Sequence, residues 1–423
     1  MKNTELKQWI LDGKLDEKLA FLYGSENLDA QKERYLSVLQ KTLELFGDSE
    51  TKLFSAPGRT EVGGNHTDHQ LGRVLAGAVS LETVAAVAEN GGNVVRVLSE
   101  GYPLCEIDLD DLSIRPEEFG TTAALIRGVA AGTGLRKGFD ACVSSTVLPG
   151  SGLSSSAAFE VLLGTVASHL SGAGLNAVEI AQLGQRVENE YFGKPCGLMD
   201  QMASSVGGVI TIDFADPGRP LVEPLDFDFA ACGHALCIVD SGADHADLTD
   251  EYAAIPREMK AVAAVFGKQV LRQVEATDFY ARLPEVREAA GDRAALRAMH
   301  FFDENRRVGE QVAALRAGDF ERFLALVNES GNSSWLYLQN VTPTGATQHQ
   351  ELAAALALAR HLLAGRGACR VHGGGFAGTI QAFVPLDLLE RFRRGMEAVL
   401  GEGSCHVLSI RPEGGILLEE VEA

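Results

Sequence analysis

Seventeen residues, Ala56 to Gly72, concentrate more potential chemistry than any other stretch of the chain. APGRTEVGGNHTDHQLG holds Arg59, two acids (Glu61 and Asp68), Asn65 and two histidines (His66 and His69) between glycines. Neither a core strand nor a buried helix is expected to carry that mixture, so the stretch reads as a segment that holds something. A second signal is LPGSGLSSSAAFE, Leu148 to Glu160, in which a strand runs to Pro149, glycines follow and three serines open an apolar helix. Glycines let backbone N–H groups approach an anion, and a helix N-terminus adds partial positive charge. Serine hydroxyls there can cap the helix, donate to phosphate or ligate magnesium. The loop is neither a Walker A motif nor a GxGxxG fingerprint. A third, VHGGGFAGTI (Val371 to Ile380), is rich in residues of minimal bulk and marks a tight turn or a close backbone approach.

Elements of both kinds must position these loops. LDAQKERYLSVLQKTLELFG places Tyr35, Leu36, Leu39, Leu43 and Phe46 at helical spacing, with Gly47 as its stop. RVLAGAVSLETVAAVAE, NVVRVLSE, DACVSSTVLPG, GGVITIDF and HALCIVDSG read as strands. SSSAAFEVLLGTVASHLSGAG reads as a buried helix, and NAVEIAQLGQRVENEYFG and DLTDEYAAIPREMKAVAAVFG as further helices. CRVHGGGFAGTIQAFV reads as a strand, a glycine turn and a helix or strand. Strands and helices mix without regular βαβ alternation, which predicts an α+β fold. The length of 423 residues calls for two domains. The acidic, proline-bearing DFADPGRPLVEPLDFD is their natural boundary, giving a helical extension over 1–47 and domains over 48–225 and 226–423.

The formal charge of −21 repels phosphate backbones and anionic membranes, which argues against nucleic-acid and membrane partners. It leaves a small anionic ligand open, because a local Arg or helix N-terminus overrides the global field. Seven scattered cysteines without a CxxC pair indicate neither a disulfide framework nor a zinc site. The charged N-terminus lacks the apolar stretch of a signal peptide. No run approaches the roughly 18 apolar residues of a membrane span. A reduced, cytoplasmic protein is the expectation.

Together the motifs resemble, in order and spacing, the GHMP small-molecule kinases and, within them, the galactokinases. APGRTEVGGNHTDHQLGRVL is similar to the galactokinase signature, PGSGLSSSAA to the phosphate loop, and GGGFAG to the C-terminal glycine motif. VENEYFGKPCGLMDQMASSVGG resembles the segment carrying the catalytic aspartate. HADLTDEY resembles the segment whose tyrosine faces the sugar, with one residue more between His and Leu. The resemblance runs from about Leu53 to Val384 and leaves residues 1–47 unassigned. It implies the two-domain GHMP fold, an N-terminal ribosomal-protein-S5-like domain and a C-terminal ferredoxin-like α/β sandwich, with the active site between them.

It also implies roles. Asp200 matches the base for the sugar's C1 hydroxyl, and Arg59 the arginine beside it, able to lower the aspartate's pKa and stabilise the transferring phosphoryl. Ser156 and Glu188 match the magnesium ligands. Gly150, Ser151, Gly152, Leu153, Ser154 and Ser155, with Ser156, match the ATP phosphate cradle, with Gly373 and Gly375 closing nearby. Asn65, His66, Asp68 and Tyr252 match the sugar contacts; hydroxyls donate and accept, so such a ring is apt. His234, His300 and His372 fit no ligand spacing and read as structural.

Galactokinases carry Glu where this chain has Asn65, a residue that binds the C6 hydroxyl, and Tyr where it has His69. The expected reaction is ATP- and magnesium-dependent phosphorylation of galactose at C1. Losing that charge makes galacturonate a rival substrate, and L-arabinose, which lacks C6, another. A non-catalytic sugar sensor of the same fold is the alternative of a different class, although the phosphate loop, Asp200 and Arg59 are intact. A mevalonate- or homoserine-type kinase fits the glycine loops but not NHTDH. Monomer and dimer are both open.

Overall fold

In the computed structural model, which describes residues 1–147, 152–243 and 248–418, the chain opens with helices α1 (Asn3–Leu11), α2 (Asp16–Tyr23) and α3 (Leu28–Phe46). Gly47, at φ 79°, stops α3 in the region where glycine costs least. Strands β1 (Lys52–Gly63), β2 (Arg73–Glu89), β3 (Val94–Ser99) and β4 (Cys105–Asp108) precede α4 (Thr122–Thr133) and β5 (Phe139–Ser145). Helices α5 (Ser155–Ser171), α6 (Ala177–Glu190) and α7 (Met199–Val206) lead to β6 (Val209–Asp213) and β7 (Leu221–Leu225).

The second half runs β8 (His234–Asp240), α8 (Thr249–Val265), α9 (Ala276–Ala281), α10 (Leu283–Ala290), α11 (Asp292–Arg316), α12 (Phe320–Ser333) and α13 (Glu351–Leu363). It closes with β9 (Ala368–Val371), β10 (Thr379–Pro385), α14 (Leu389–Leu400), β11 (Cys405–Leu408) and β12 (Ile416–Leu418). CRVHGGGFAGTIQAFV is therefore two antiparallel strands around the glycine turn.

Two mixed-partner sheets organise these elements among the described residues. The first has the order β12-β1-β2-β5-β3-β4, with β6 and β7 branching from β2; the second has the order β11-β8-β10-β9. β2 is long enough to serve two partners, pairing with β6 through its first half and with β5 through its second. Both faces of the first sheet are covered, which is why β2 reads as a nearly continuous apolar run. One face packs on α4, α5 and α6, where Val129, Leu162 and Leu183 are buried. The other face meets the N-terminal helices through Leu19, Tyr35 and Leu39.

Those helices are fastened by polar contacts as well. Arg34 donates to Glu82 Oε1 at 3.0 Å and to the Ser144 carbonyl at 2.9 Å. The hydroxyls of Tyr23 and Tyr35 meet at 2.8 Å beside the fully buried Arg411–Glu82 ion pair. A segment the motifs leave unassigned is thus built into the core of the first sheet. The division between the sheets follows Leu225, yet β12 crosses back to pair with β1. Val62 and Val79 of the first sheet share an apolar cluster with Ile238 and Phe383 of the second.

β1 overturns one expectation. Residues 56–63 of the polar stretch lie on a central strand, and every residue of β1 after Lys52 is buried, Arg59 and Glu61 included. The strand tolerates these charges because each has a partner brought from far along the chain, and a paired, hydrogen-bonded charge escapes most of the cost of burial. The β1–β2 ladder also breaks at Pro57/Arg59 and at Glu61/Gly63. Such bulges bend a strand and re-aim its side chains.

Candidate active site

Arg59 leaves β1 at the first of these breaks. Its backbone N–H donates to the Leu153 carbonyl at 3.0 Å, and its guanidinium also reaches the Gly152 carbonyl, so β1 and the serine-rich loop are locked together. Arg59 Nε and one terminal nitrogen donate to the two oxygens of Asp200, each at 2.7 Å. Such a two-pronged pair fixes both side chains in orientation. Asp200 lies in the first turn of α7, where the helix dipole favours a carboxylate. Ser154 adds a hydroxyl donor to Asp200 Oδ2. Burial alone would raise the Asp200 pKa, but the Arg59 charge and the Arg59 and Ser154 hydrogen bonds hold it below the usual carboxylate range. Asp200 is therefore anionic at neutral pH.

A cavity of about 540 Å³ opens on this pair, lined by Arg59, Glu61, His66, Asp68, His69 and Asp200, with Gly373 and Gly374 from the glycine turn and Lys260 from α8. Of the four expected sugar contacts, the fold thus brings His66 and Asp68 to this cavity. Asp68 sits so close to Gly197 that no side chain fits there: a Cβ would lie 1.8 Å from Asp68 Oδ2. Burial, and then repulsion from Asp200, push the Asp68 carboxyl up to about 6. His66 is half-buried, with Nε2 3.0 Å from the Gly374 carbonyl and Nδ1 3.3 Å from His69 Nε2. Burial lowers its pKa, which keeps the ring neutral.

Two expected sugar contacts stand elsewhere. Asn65 has no exposed surface. Its amide donates to Glu61 Oε1 at 3.0 Å and to the Gly373 carbonyl at 2.6 Å. Its Oδ1 accepts from Ser334 at 3.2 Å and from Asn340 at 2.9 Å. The amide is fully committed to protein, and position 65 is a brace beneath the cavity. Tyr252 stands behind the glycine turn: its hydroxyl donates to the Gly375 carbonyl at 2.8 Å, and its ring packs against Gly374 and edge-on to Phe376. Gly375, expected near phosphate, is pressed against Asn340, whose carbonyl would lie 2.1 Å from an added Cβ.

Of the three histidines read as structural, His300 and His372 stand close to the site. His300 bridges Ser333 and the Asn65 carbonyl at 2.8 and 2.9 Å, and burial lowers its pKa to about 4. His372 bridges Thr60 and Thr379, at 3.1 and 3.0 Å.

Of the residues expected to cradle phosphate, Gly150 and Ser151 lie outside the described residues, as does His245 of the HADLTDEY stretch. Gly152, at φ 70°, approaches the second half so closely that a Cβ would sit 3.0 Å from both His372 and Thr379. Leu153 is buried and offers only its backbone. Ser155 and Ser156 line a second cavity of about 440 Å³, together with Thr83, Tyr102, Phe159 and Phe192. These last four carry no local signal in sequence; they come from four separate elements and connections.

Glu188 is buried, 3.4 Å from Lys194 Nζ. Gln201 donates to it at 2.8 Å and to Glu160 at 3.0 Å. Burial and the neighbouring Glu188 raise the Glu160 pKa well above the ordinary range. Sequence reasoning missed Glu160, which occupies what reads as an ordinary helix position.

The class of protein follows from these features and from comparison. Residues 121–208 match the family described as GHMP kinases N terminal domain, and residues 43–89 match the galactokinase galactose-binding signature. The chain is 32% identical over 362 residues to the galactokinase of Actinobacillus pleuropneumoniae serotype 3, covering 84% of this chain and 91% of that one. It is 30% identical over 355 residues to the galactokinase of Glaesserella parasuis serovar 5, covering 82% and 89%. Lactococcus lactis galactokinase, solved with galactose, superposes with a TM-score of 0.77 at 26% identity, covering 90% of this chain and 98% of that one. Methanococcus jannaschii mevalonate kinase shares the fold, with a TM-score of 0.61 at 16% identity over 85% of this chain and 98% of that one.

The fold is the α+β fold of the GHMP kinases, and the chain is an ATP-using sugar kinase. It belongs to the galactokinase family.

Proposed function

We propose that this chain transfers the γ-phosphoryl group of ATP to the C1 hydroxyl of galactose, giving galactose 1-phosphate and ADP. The observation that carries this reading is the Arg59–Asp200 pair, which faces the cavity lined by His66 and Asp68 and is tied to the serine-rich helix start through Leu153, Gly152 and Ser154. The C1 oxygen attacks the γ-phosphorus as the bond to the β-phosphate oxygen breaks, and the hydroxyl proton passes to Asp200. Because Asp200 is held anionic and is a weak base, its main contribution is to orient the hydroxyl. Positioning and charge stabilisation dominate phosphoryl transfer. Arg59 keeps Asp200 in place and offers positive charge to the transferring group.

The cavity beside Ser155 and Ser156 suits the nucleotide: Phe159, Phe192 and Tyr102 supply apolar surface, and the helix start supplies N–H groups for phosphate. Magnesium would be held by Ser156 and Glu188, hard oxygen donors of the kind it prefers. Ser156 is half-buried on the wall of that cavity, and the buried Glu160 Oε1 beside Glu188 has no hydrogen-bond partner among the described residues, which fits a polar site. The ion neutralises phosphate charge when bound. We read domains over 48–225 and 226–423 behind a helical extension over 1–47, and a cytoplasmic setting supported by seven free thiols.

One observation favours galacturonate. Lys260 lines the sugar cavity, is exposed and pairs with no acid among the described residues. The experiment is ADP release with ATP and magnesium against galactose, galacturonate, L-arabinose, N-acetylgalactosamine and glucose. Fastest turnover with galactose is expected. Fastest turnover with galacturonate would transfer the assignment to that sugar, and silence across the panel with ATP still bound would favour a sensor.

A further inference from the structure

The negative charge missing at position 65 stands four residues earlier. β1 carries Glu61 to the wall of the cavity that holds Arg59, His66, Asp68 and Asp200, with its side chain only 4% exposed. Its Oε1 is taken: it accepts from the buried Arg370 guanidinium and from the Asn65 amide. Its Oε2 accepts from no described residue, and it is absent from the buried polar atoms that lack a partner, so it opens on the cavity. Asn65 and Arg370 hold the carboxylate still, which leaves one oxygen pre-aimed at a ligand. A pre-oriented acceptor loses little freedom when a hydroxyl binds it.

We propose that Glu61 is the specificity-determining carboxylate of the sugar pocket. It accepts a hydrogen bond from a sugar hydroxyl other than the one phosphorylated, and it sets the pocket against sugars that bear a carboxylate. This rests on the reading of the cavity as the sugar site. A carboxylate facing a uronate is a like-charge contact in a poorly hydrated wall, which opposes the attraction of Lys260.

The test crosses two enzymes with a set of substrates. The kcat/KM of the wild type and of Glu61→Gln is measured, with ATP and magnesium, for galactose, its 2-, 3-, 4- and 6-deoxy forms and galacturonate. In the wild type, removing the hydroxyl that Glu61 holds lowers kcat/KM by roughly 10- to 100-fold, the range of a lost charge-assisted hydrogen bond. In Glu61→Gln galactose falls by a similar factor, the same deoxy sugar loses almost nothing more, and galacturonate gains at least about tenfold on galactose. The KM for ATP stays unchanged.

Losses that simply multiply for every deoxy sugar, or an unchanged galacturonate-to-galactose ratio, would overturn the proposal. Where Glu61→Gln alone fails to fold because Arg370 is left unpaired, the set is repeated in the double variant Glu61→Gln/Arg370→Met, and the same two results decide it. A wild type inactive on galactose defeats the sugar reading itself; an active wild type with multiplying losses defeats only the role of Glu61.

Discussion

The two ends of the site are built differently. At the end proposed to take the sugar, residues 59–65 are buried and tied to the second half by dense contacts. Glu304 accepts from the Gly64 N–H at 3.0 Å, Arg370 donates to the Val62 carbonyl at 3.0 Å, and Gln381 donates to Thr60 at 2.7 Å. At the phosphate end, Ser155 and Ser156 begin α5 half-buried and line an open cavity. One end is finished before any ligand arrives; the other offers donors that a ligand must complete. The difference matches the tasks: discriminating similar sugars needs fixed donors and acceptors, because each unpaired polar group then costs specificity. Holding phosphate needs only convergent N–H and O–H groups.

Breaking the junction between the two ends has the largest expected effect. Asp200→Asn should lower kcat by about 10²–10⁴-fold, the usual span for a proton-accepting group, while the Kd for ATP measured by calorimetry holds within a few-fold. Near-normal turnover would remove Asp200 from the chemistry. Next comes Asn65→Glu, which imitates the family's usual residue. It would bury a second carboxylate beside Glu61 and lose the amide donations to Glu61 and to the Gly373 carbonyl, costing about 3–5 kcal/mol. Thermal unfolding should show a large drop in Tm; a stable variant with altered sugar preference would mean that position 65 does face the sugar.

A smaller effect tests how tightly the sugar end is fastened. His300 has a pKa of about 4 when folded, below its ordinary value of about 6.5. The unfolded chain thus takes up the proton first, and stability falls as pH drops from about 6.5 to 4, by on the order of 3 kcal/mol. Urea midpoints of the wild type and His300→Gln should converge across that window, and parallel curves would refute the assignment. The smallest effect on stability belongs to the phosphate end. Ser156→Ala removes a half-buried hydroxyl on the cavity wall and should shift stability by less than about 0.5 kcal/mol. Its demand for ATP and magnesium should nevertheless rise about tenfold, the loss of one charge-assisted contact; an unchanged demand would exclude Ser156 from the cradle.

Much of this was legible in the sequence. The helical start, most strands, the serine-opened helix and the two glycine loops follow from periodicity and from residues with special backbone freedom, which act locally. The residues gathered at the site, Arg59, His66, Asp68 and Asp200, were marked by type and order in recurrent motifs. What sequence misjudged was depth. A run containing Arg59 and Glu61 looked too polar for a core strand, because burial of charge depends on partners no local pattern reveals: Asp200 lies 141 residues from Arg59, and Arg370 lies 309 from Glu61.

The same reason explains Asn65. As a type it could face a sugar or brace a fold, and the choice was made by Ser334, Asn340 and Gly373, which converge on it from the other half of the chain. Sequence by itself carried the resemblance to the family, and with it the expected reaction type and roster of reactive groups, since a motif is read along one line. Tertiary structure decided which carboxylate opens on the cavity and which groups support it from behind, since exposure and hydrogen-bond partnership are properties of packed neighbours rather than of residues.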